Sequence, residues 1–365
     1  MFSEEAIKAV KEGVEKGEPV RGPFDAQILP LNNCNQACLF CPLYAGDAKL
    51  TAAHAPRFLE PAKIMEWDTF ERIADGLEKL GGVERVHFTG GEPLLHPKIA
   101  DMVARLKRGA PKASIGIVTN GILLEKTVDK LVDAKVDRIS VSLNAADKTA
   151  YLKLSPSNKA EDFDKVVEGI TKTASLAQNR NGPDISITSV LTRHNCDSVE
   201  GMYEIALKTG ARNLTFIPLT PFEYEGKWSN EALIPSTGQF QKFKADLEKI
   251  IPKAQKNGIW MGYGSSNPDS AVLSADGKDL EKPCYAGFAF IVFWPDGNIR
   301  PCCNCEQVIG NIICHSLEKI WLSEAYREFR LKALSVEIPE KMQCMCKECG
   351  YLYENGWLNK QFLLK

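Results

Sequence analysis

Cysteine is the residue type whose number and spacing could do chemistry here. Twelve occur among 365 residues, at 34, 38 and 41, at 196, and at 284, 302, 303, 305, 314, 344, 346 and 349. The chain starts with a Glu- and Lys-rich stretch, Met1 to Glu18, without an export signal. A cytoplasmic setting is therefore expected, and there such a set points to metal binding or redox chemistry rather than disulfides. In the run Cys34-Asn-Gln-Ala-Cys38-Leu-Phe-Cys41 three thiolates lie four and three residues apart. On a loop they can hold three corners of a cubane iron–sulfur cluster and leave one iron without a protein ligand. An open metal position is a reactive one. The alternatives are a zinc knuckle short of one ligand, for which Asn35, Gln36 and Phe40 offer no donor, or small buried apolar side chains. A second motif is Thr89-Gly90-Gly91-Glu92-Pro93. Its two glycines let backbone approach a ligand closely, and its carboxylate can receive an ammonium group.

Both motifs need a frame, and the chain supplies one. Short β-rich runs at Phe24–Leu31, Glu84–Thr89, Ala113–Thr119, Asp137–Leu143, Asp184–Leu191 and Arg212–Pro218 alternate with helical patterns such as Phe70, Ile73, Leu77 and Leu80. Six strands alternating with helices predict a parallel sheet with right-handed crossovers, a βα barrel or an open doubly wound sheet. Both motifs then sit at carboxyl strand ends, where such folds place function. Residues 220–282 read as a linker plus one helix, Gln239–Lys256, followed by a loop. From 283 a smaller module begins with a β-hairpin, Phe288–Trp294 and Ile299–Cys302 around Pro295-Asp296-Gly297-Asn298. A formal charge of −2 and a pI near 6.3 exclude a global field for nucleic acid or anionic membrane. The longest apolar run, Ala286 to Pro295, is half the roughly 20 residues of a membrane span.

With these residues in view, the chain resembles the radical S-adenosylmethionine (radical SAM) enzymes over roughly Phe24 to Pro218. The CxxxCxxC trio with an aromatic residue before its last cysteine, and the following GGEP, carry the resemblance. It implies an α/β fold, a partial (βα)6 TIM-type barrel over 24–219 preceded by an N-terminal helix within 1–23. It also implies a [4Fe–4S] cluster on Cys34, Cys38 and Cys41 whose open iron chelates the cofactor's amine and carboxylate. Reductive cleavage of S-adenosylmethionine then frees a 5′-deoxyadenosyl radical that abstracts hydrogen. By the same resemblance Phe40 lies against the adenine, Gly90, Gly91 and Glu92 bind the methionine ammonium, and Pro93 fixes the turn. Ser142 matches a place where the family often has a cofactor-binding Ser or Thr, and Thr119 and Asn144 are similar candidates. All three fit equally well as turn residues satisfying backbone groups.

The tail, 283–365, resembles the SPASM extension of these enzymes. Cys284 is followed after twelve residues by Gly297, after four more by Cys302, and later by Cys346-Lys-Glu-Cys349. Gly310-Asn311-Ile312, Ser316-Leu317, Ile320-Trp321 and Arg330 support the likeness. With no cysteine after Cys349, the tail resembles the shortened form called twitch, which implies one auxiliary [4Fe–4S] cluster on Cys284, Cys302, Cys346 and Cys349. A zinc ribbon on the same four thiolates is the structural alternative. On an extended segment Cys302 and Cys303 point to opposite faces, so one of them reaches a given cluster; the glycine spacing favours Cys302, as the CxxC favours Cys346 over Cys344. Cys196, Cys303, Cys305, Cys314 and Cys344 remain as packing residues, or one as a hydrogen donor. His87 reads as barrel-lining, and His54, His96 and His194 as loop residues.

The resemblance leaves three functions to weigh. The first is an oxidoreductase that removes hydrogen from a hydroxyl- or amine-bearing carbon of a sugar, cyclitol or other polar small molecule, fed by a flavodoxin- or ferredoxin-type reductant. The short segment before Cys34 favours it over peptide modification, whose enzymes often carry a leader-binding domain there. The second is a peptide crosslinking enzyme or epimerase acting on a short peptide. The third is a non-catalytic iron–sulfur or zinc protein. Molybdopterin-pathway cyclases have a related extension, but with fewer cysteines and a terminal Gly-Gly that this chain lacks. Neither a nucleic acid nor a membrane is an expected partner.

Overall fold

The computed structural model describes residues 2–41, 63–180, 182–219, 223–224, 227–228, 231–264, 283–303, 305, 307–335 and 352–363. Strands β1 (Asp25–Ile28), β2 (Arg85–Phe88), β3 (Ser114–Thr119), β4 (Arg138–Ser142), β5 (Asp184–Leu191) and β6 (Asn213–Pro218) fall where the β-rich runs predict them. They pair side by side in chain order, all parallel. The helices between them pack apolar stripes on one face of the sheet. In Trp67–Lys79 the buried Phe70, Ile73, Ala74 and Leu77 form that stripe. In β5 the buried Ile185, Ile187, Ser189 and Leu191 alternate with more accessible Asp184, Ser186, Thr188 and Val190, so one face meets the helices and the other lines a polar interior.

The parallel run is longer than six strands. After a two-stranded ribbon of β7 (Glu223–Tyr224) and β8 (Lys227–Trp228), the strand β9 (Trp260–Tyr263) joins β6 in parallel, although the sequence reads there as a loop after the helix Gln239–Lys256. Four residues with one glycine are too few to show a period. At the other edge the expected hairpin forms as β10 (Phe290–Phe293) and β11 (Asn298–Arg300), with β12 (Gly310–Asn311) beyond it. β10 pairs in parallel with β1, so the cysteine-rich tail extends the main sheet. Phe290-Ile-Val-Phe is buried at all four positions, the pattern of a strand covered on both faces. The order β12-β11-β10-β1-β2-β3-β4-β5-β6-β9 leaves β12 and β9 at open edges, and the structure is a partial βα barrel. At the tip of the hairpin Gly297 has φ +80°, which suits glycine in the turn after Asp296.

Arg330, in the helix Glu324–Leu334, fastens the tail beneath the sheet. Its guanidinium is 1% exposed and donates to the carbonyls of Gly287 at 2.8 Å and Trp321 at 2.6 Å. It also lies over the rings of Trp321 and Tyr326. The residue after this helix's core, Ala333, accepts from the Cys284 N–H at 2.9 Å, so the same helix fixes the start of the cysteine-rich segment. Arg330→Ala would leave two buried carbonyls without donors and remove the packing of the guanidinium. It is expected to cost about 2–5 kcal/mol, read as a lowered midpoint in thermal or denaturant unfolding.

Candidate active site

The loop that carries Cys34, Cys38 and Cys41 leaves the carboxyl end of β1 and is gripped from two sides. On one side the backbone after β2 lies directly on it. The N–H of Gly91 donates to Leu31 O at 3.1 Å and that of Glu92 to Asn33 O at 2.8 Å. A Cβ on residue 91 would sit 1.8 Å from Asn33 O, and residue 90 has φ +116° with Leu31 O at 2.7 Å from its Cβ position. The two glycines thus serve a protein contact, backbone on backbone, in addition to whatever ligand lies beyond. On the other side the segment after β4 closes on the trio. Leu39 N–H donates to Leu154 O at 3.0 Å, Ala37 N–H donates to Ser157 Oγ at 3.0 Å, and Ser155 Oγ donates to Cys38 Sγ at 3.0 Å. The Tyr151 hydroxyl accepts from Gln36 Nε2 at 2.6 Å and from Asn158 Nδ2 at 2.8 Å, which sets Gln36 between Cys34 and Cys38.

Glu92 is 1% exposed and its carboxylate is fully engaged. Oε1 accepts from Leu94 N–H at 2.9 Å and Thr119 Oγ1 at 2.7 Å, and Oε2 accepts from Asn120 N–H at 2.7 Å. Burial nevertheless pushes it up to about 7, against the pull of those donors. Pro93 is buried and opens a single 3-10 turn, Pro93–Leu95, which Glu92 caps. Asn120, which follows β3 directly, is the link between these parts. Its Nδ2 donates to Asn35 Oδ1 at 2.7 Å and faces Cys34 Sγ at 3.7 Å, the geometry of a weak N–H···S bond. Burial pushes the Cys34 thiol up to about 11 and the Cys38 thiol up to about 12. In both, the neighbouring Cys41 raises the thiol further.

The other expected residues divide. Thr119 is committed to Glu92, and Asn144 Oδ1 accepts from Val190 N–H at 2.7 Å, tying β4 to β5. Ser142 is half-buried at the end of β4, and its hydroxyl makes no hydrogen bond among the described residues. Phe40 lies half-buried within the trio's loop. His96 is buried with Nε2 3.1 Å from Met65 O. His87 stands on the inner face, 3.9 Å from Asp25, and burial brings it down to about 4. Among the described residues no three His, Cys, Asp or Glu side chains close around one metal-ion position.

In the tail, Cys284 and Cys302 come together. Burial first, and then the Cys302 thiol, raise Cys284 to about 11, and Asn355 Nδ2 lies 3.6 Å from its sulfur. Cys303 does not point away from Cys302. The chain bends at 301–303 instead of continuing β11, and the two sulfurs are 4.0 Å apart, so the expectation from an extended segment fails there. Cys305 is 1% exposed, whereas Cys314 is exposed and Cys196 buried. Cys344, Cys346, Cys349 and His54 lie outside the described residues. Because β10 is parallel to β1 and β11 runs back, Cys284 and Cys302 sit at the amino ends of the strands whose carboxyl side carries Cys34.

The model of the radical SAM superfamily matches residues 28–205, and that of the SPASM iron–sulfur cluster-binding domain matches 284–350. A GTP 3′,8-cyclase of Staphylococcus aureus (strain JH9) is 32% identical over 285 residues, 72% of this chain and 78% of that protein. The chain belongs to the radical SAM superfamily. It is a radical SAM enzyme with a C-terminal SPASM domain, and its cofactors are [4Fe–4S] clusters and S-adenosylmethionine. A GTP 3′,8-cyclase of Chlorobaculum tepidum is 28% identical over 226 residues, and the chain spans 60% of its length (61% of this chain). Among solved structures, Streptococcus suis SuiB bound to S-adenosylmethionine superposes with a TM-score of 0.66 at 17% identity, covering 97% of this chain and 78% of that one. The structure of anSMEcpe with bound AdoMet gives 0.61 at 18% identity, with 91% and 88% covered. At these identities the likeness is one of fold. No helix among the described residues is long and apolar enough to cross a membrane.

Two outcomes test this geometry. Cys34→Ala, which removes one of three thiol donors, is expected to abolish 5′-deoxyadenosine formation by anaerobically reconstituted protein. Gly91→Ala is expected to displace the trio's loop, because its Cβ would overlap Asn33 O. It should lower both the unfolding midpoint and the iron retained after desalting, while a control at Gly238, where a Cβ meets nothing within 4 Å, should change neither.

Proposed function

We propose that this enzyme oxidises a hydroxyl- or amine-bearing carbon of a polar small molecule held in the barrel interior. The observation that carries the reading is the placement of the cysteines. One group stands at the carboxyl ends of β1 and β2, the other at the amino ends of β10 and β1, and a polar face lies between them. Cys34, Cys38 and Cys41 hold the cluster that binds the cofactor, with Asn120 and Ser155 donating to two of their sulfurs. The carbonyls of Gly90 and Gly91 accept no hydrogen bond among the described residues. They receive the cofactor's ammonium, whose charge the buried Glu92 complements. Phe40, Pro93 and Ser142 complete the cofactor's surroundings, and Thr119 and Asn144 act by holding Glu92 and β5. Cys284 and Cys302, with Cys346 and Cys349, hold the auxiliary cluster.

When bound, the first cluster and S-adenosylmethionine supply a 5′-deoxyadenosyl radical. With such a radical supplied, oxidation of the substrate would need a hydrogen atom to leave its carbon, a proton to leave its heteroatom, and one electron to be accepted by a group held on Cys284 and Cys302. The substrate ends two hydrogens lighter. A flavodoxin- or ferredoxin-type protein of the cytoplasm is the matching electron source. The names of the sequence relatives favour a second reading, in which a purine nucleotide is cyclised with no net oxidation. Mass spectrometry of anaerobic reactions with GTP and with a panel of polyols and amino sugars separates the two. A product two units lighter is expected. Cys346→Ala should then lose product more severely than 5′-deoxyadenosine. Product of unchanged mass refutes oxidation, and a single solvent-derived deuterium in it identifies epimerisation.

A further inference from the structure

The inner face of the barrel is polar, and one cation in it, Arg138, is attracted by Asp25, Asp137 and Asp184 while its buried Nε and Nη2 are hydrogen-bonded to none of them. Pairing register sets Gln27, His87, Gly116, Arg138 and Asp184 in one row across β1 to β5. Nε and Nη2 of Arg138 are buried and make no hydrogen bond. Two of those carboxylates are already engaged. Asp25 is bound by Arg85 through Nε at 3.0 Å and Nη2 at 2.5 Å. Asp137 accepts from Ile115 N–H and pairs with Lys107, both at 2.6 Å. Asp184 is exposed at the rim. His87, held neutral by burial, adds no charge in competition. A guanidinium stays protonated, so two of its nitrogens without an acceptor in a desolvated site call for an anion.

Gly116 stands between His87 and Arg138, and a Cβ there would meet His87 Nδ1 at 3.5 Å and Arg138 Cβ at 3.7 Å, ordinary contacts. The missing side chain leaves at least a methyl group's space between His87 and the stem of Arg138. Above it Ser140 Oγ and Thr188 Oγ1 pair at 2.9 Å, and Ser142 ends the same strand face. Four residues of strand separate Arg138 from Ser142, about 13 Å, the length of a small polar molecule.

We infer that the barrel interior binds an oxyanion, a carboxylate or phosphate group of the substrate, on Arg138 beside Gly116. The planar fork of Arg138 takes two oxygens, anchoring the substrate at the amino ends of the strands and presenting its opposite end to the cofactor side. This inference rests on the proposal that the substrate lies in the barrel interior. It concerns binding alone, so it stands or falls separately from the oxidation.

The test is calorimetric titration of the full, cluster-loaded chain under anaerobic conditions with inorganic phosphate, acetate and, as a neutral probe, glycerol. Saturable binding of phosphate or acetate is expected, with phosphate tighter if the natural group is a phosphoryl and acetate if it is a carboxylate. Arg138→Gln should weaken the preferred anion about tenfold or more at unchanged iron content. Arg138→Lys, which keeps the charge and loses the fork, should fall between. If Arg138→Gln does not fold, Arg138→Lys decides by the same measure. No saturable anion binding by the wild-type chain, equal affinity in the variants, or glycerol binding as well as the anions overturns the inference. The product-mass experiment can fail with anion binding intact, which would discard the oxidation and keep the site.

Discussion

Everything chemical in this protein depends on two strand ends meeting without side chains between them. The backbone after β2 donates from Gly91 and Glu92 into the loop after β1, and no Cβ fits at residue 91. That contact places the cysteine loop on the sheet. It also turns Glu92 inward, where its three donors come from two strand ends, β2 and β3. Asn120 then carries the arrangement to Cys34. Loop, turn and strand end therefore behave as one unit, and a disturbance at any of them reaches the sulfurs through short, directional bonds.

This explains which parts of the site were legible. Cysteine spacing and paired glycines are local signals, and the structure brings the two motifs together at one end of the sheet. The reason for the glycines was only half visible, because a sequence shows that backbone can come close but not which backbone it meets. Ser155 and Tyr151 had no signal at all. They reach Cys38 and Gln36 across 117 and 115 residues of chain, and a serine after a short amphipathic helix looks like any cap. Long-range hydrogen bonds of this kind are set by how the crossovers fold back, which composition does not record.

The fold was legible for a related reason. Strands with a period of two and helices with an apolar stripe announce themselves, so β1 to β6 lie close to their expected positions. β9 did not, being four residues long with a glycine in it. The tail looked separate because its cysteines cluster, yet Phe290–Phe293 is apolar at every position, a pattern of burial on both faces. A strand of that kind seldom stands at an isolated hairpin's edge; it seeks a sheet. Sliding in beside β1, it brings the tail's thiols to the opposite end of the strand that carries the first trio.

The interior between those ends departs from the usual parallel sheet. Both faces of such a sheet are normally apolar, as in a barrel whose centre is filled by branched side chains. Here the inner positions are Asp25, Arg85, His87, Arg138, Ser140 and Thr188, only partly satisfied among themselves. Stability is supplied instead by the outer face, where Ile115, Ile117, Ile139, Val141, Ile185 and Ile187 pack under the helices. With the core on one side of the sheet, the other side is released from packing. A row of hydroxyls and cations that would weaken a filled barrel becomes tolerable in an open one, because water or a polar ligand can reach it. The open edges left by β9 and β12 and the polar interior are thus two consequences of the same division, which leaves the space between the two cysteine groups lined by polar side chains rather than packed as a core.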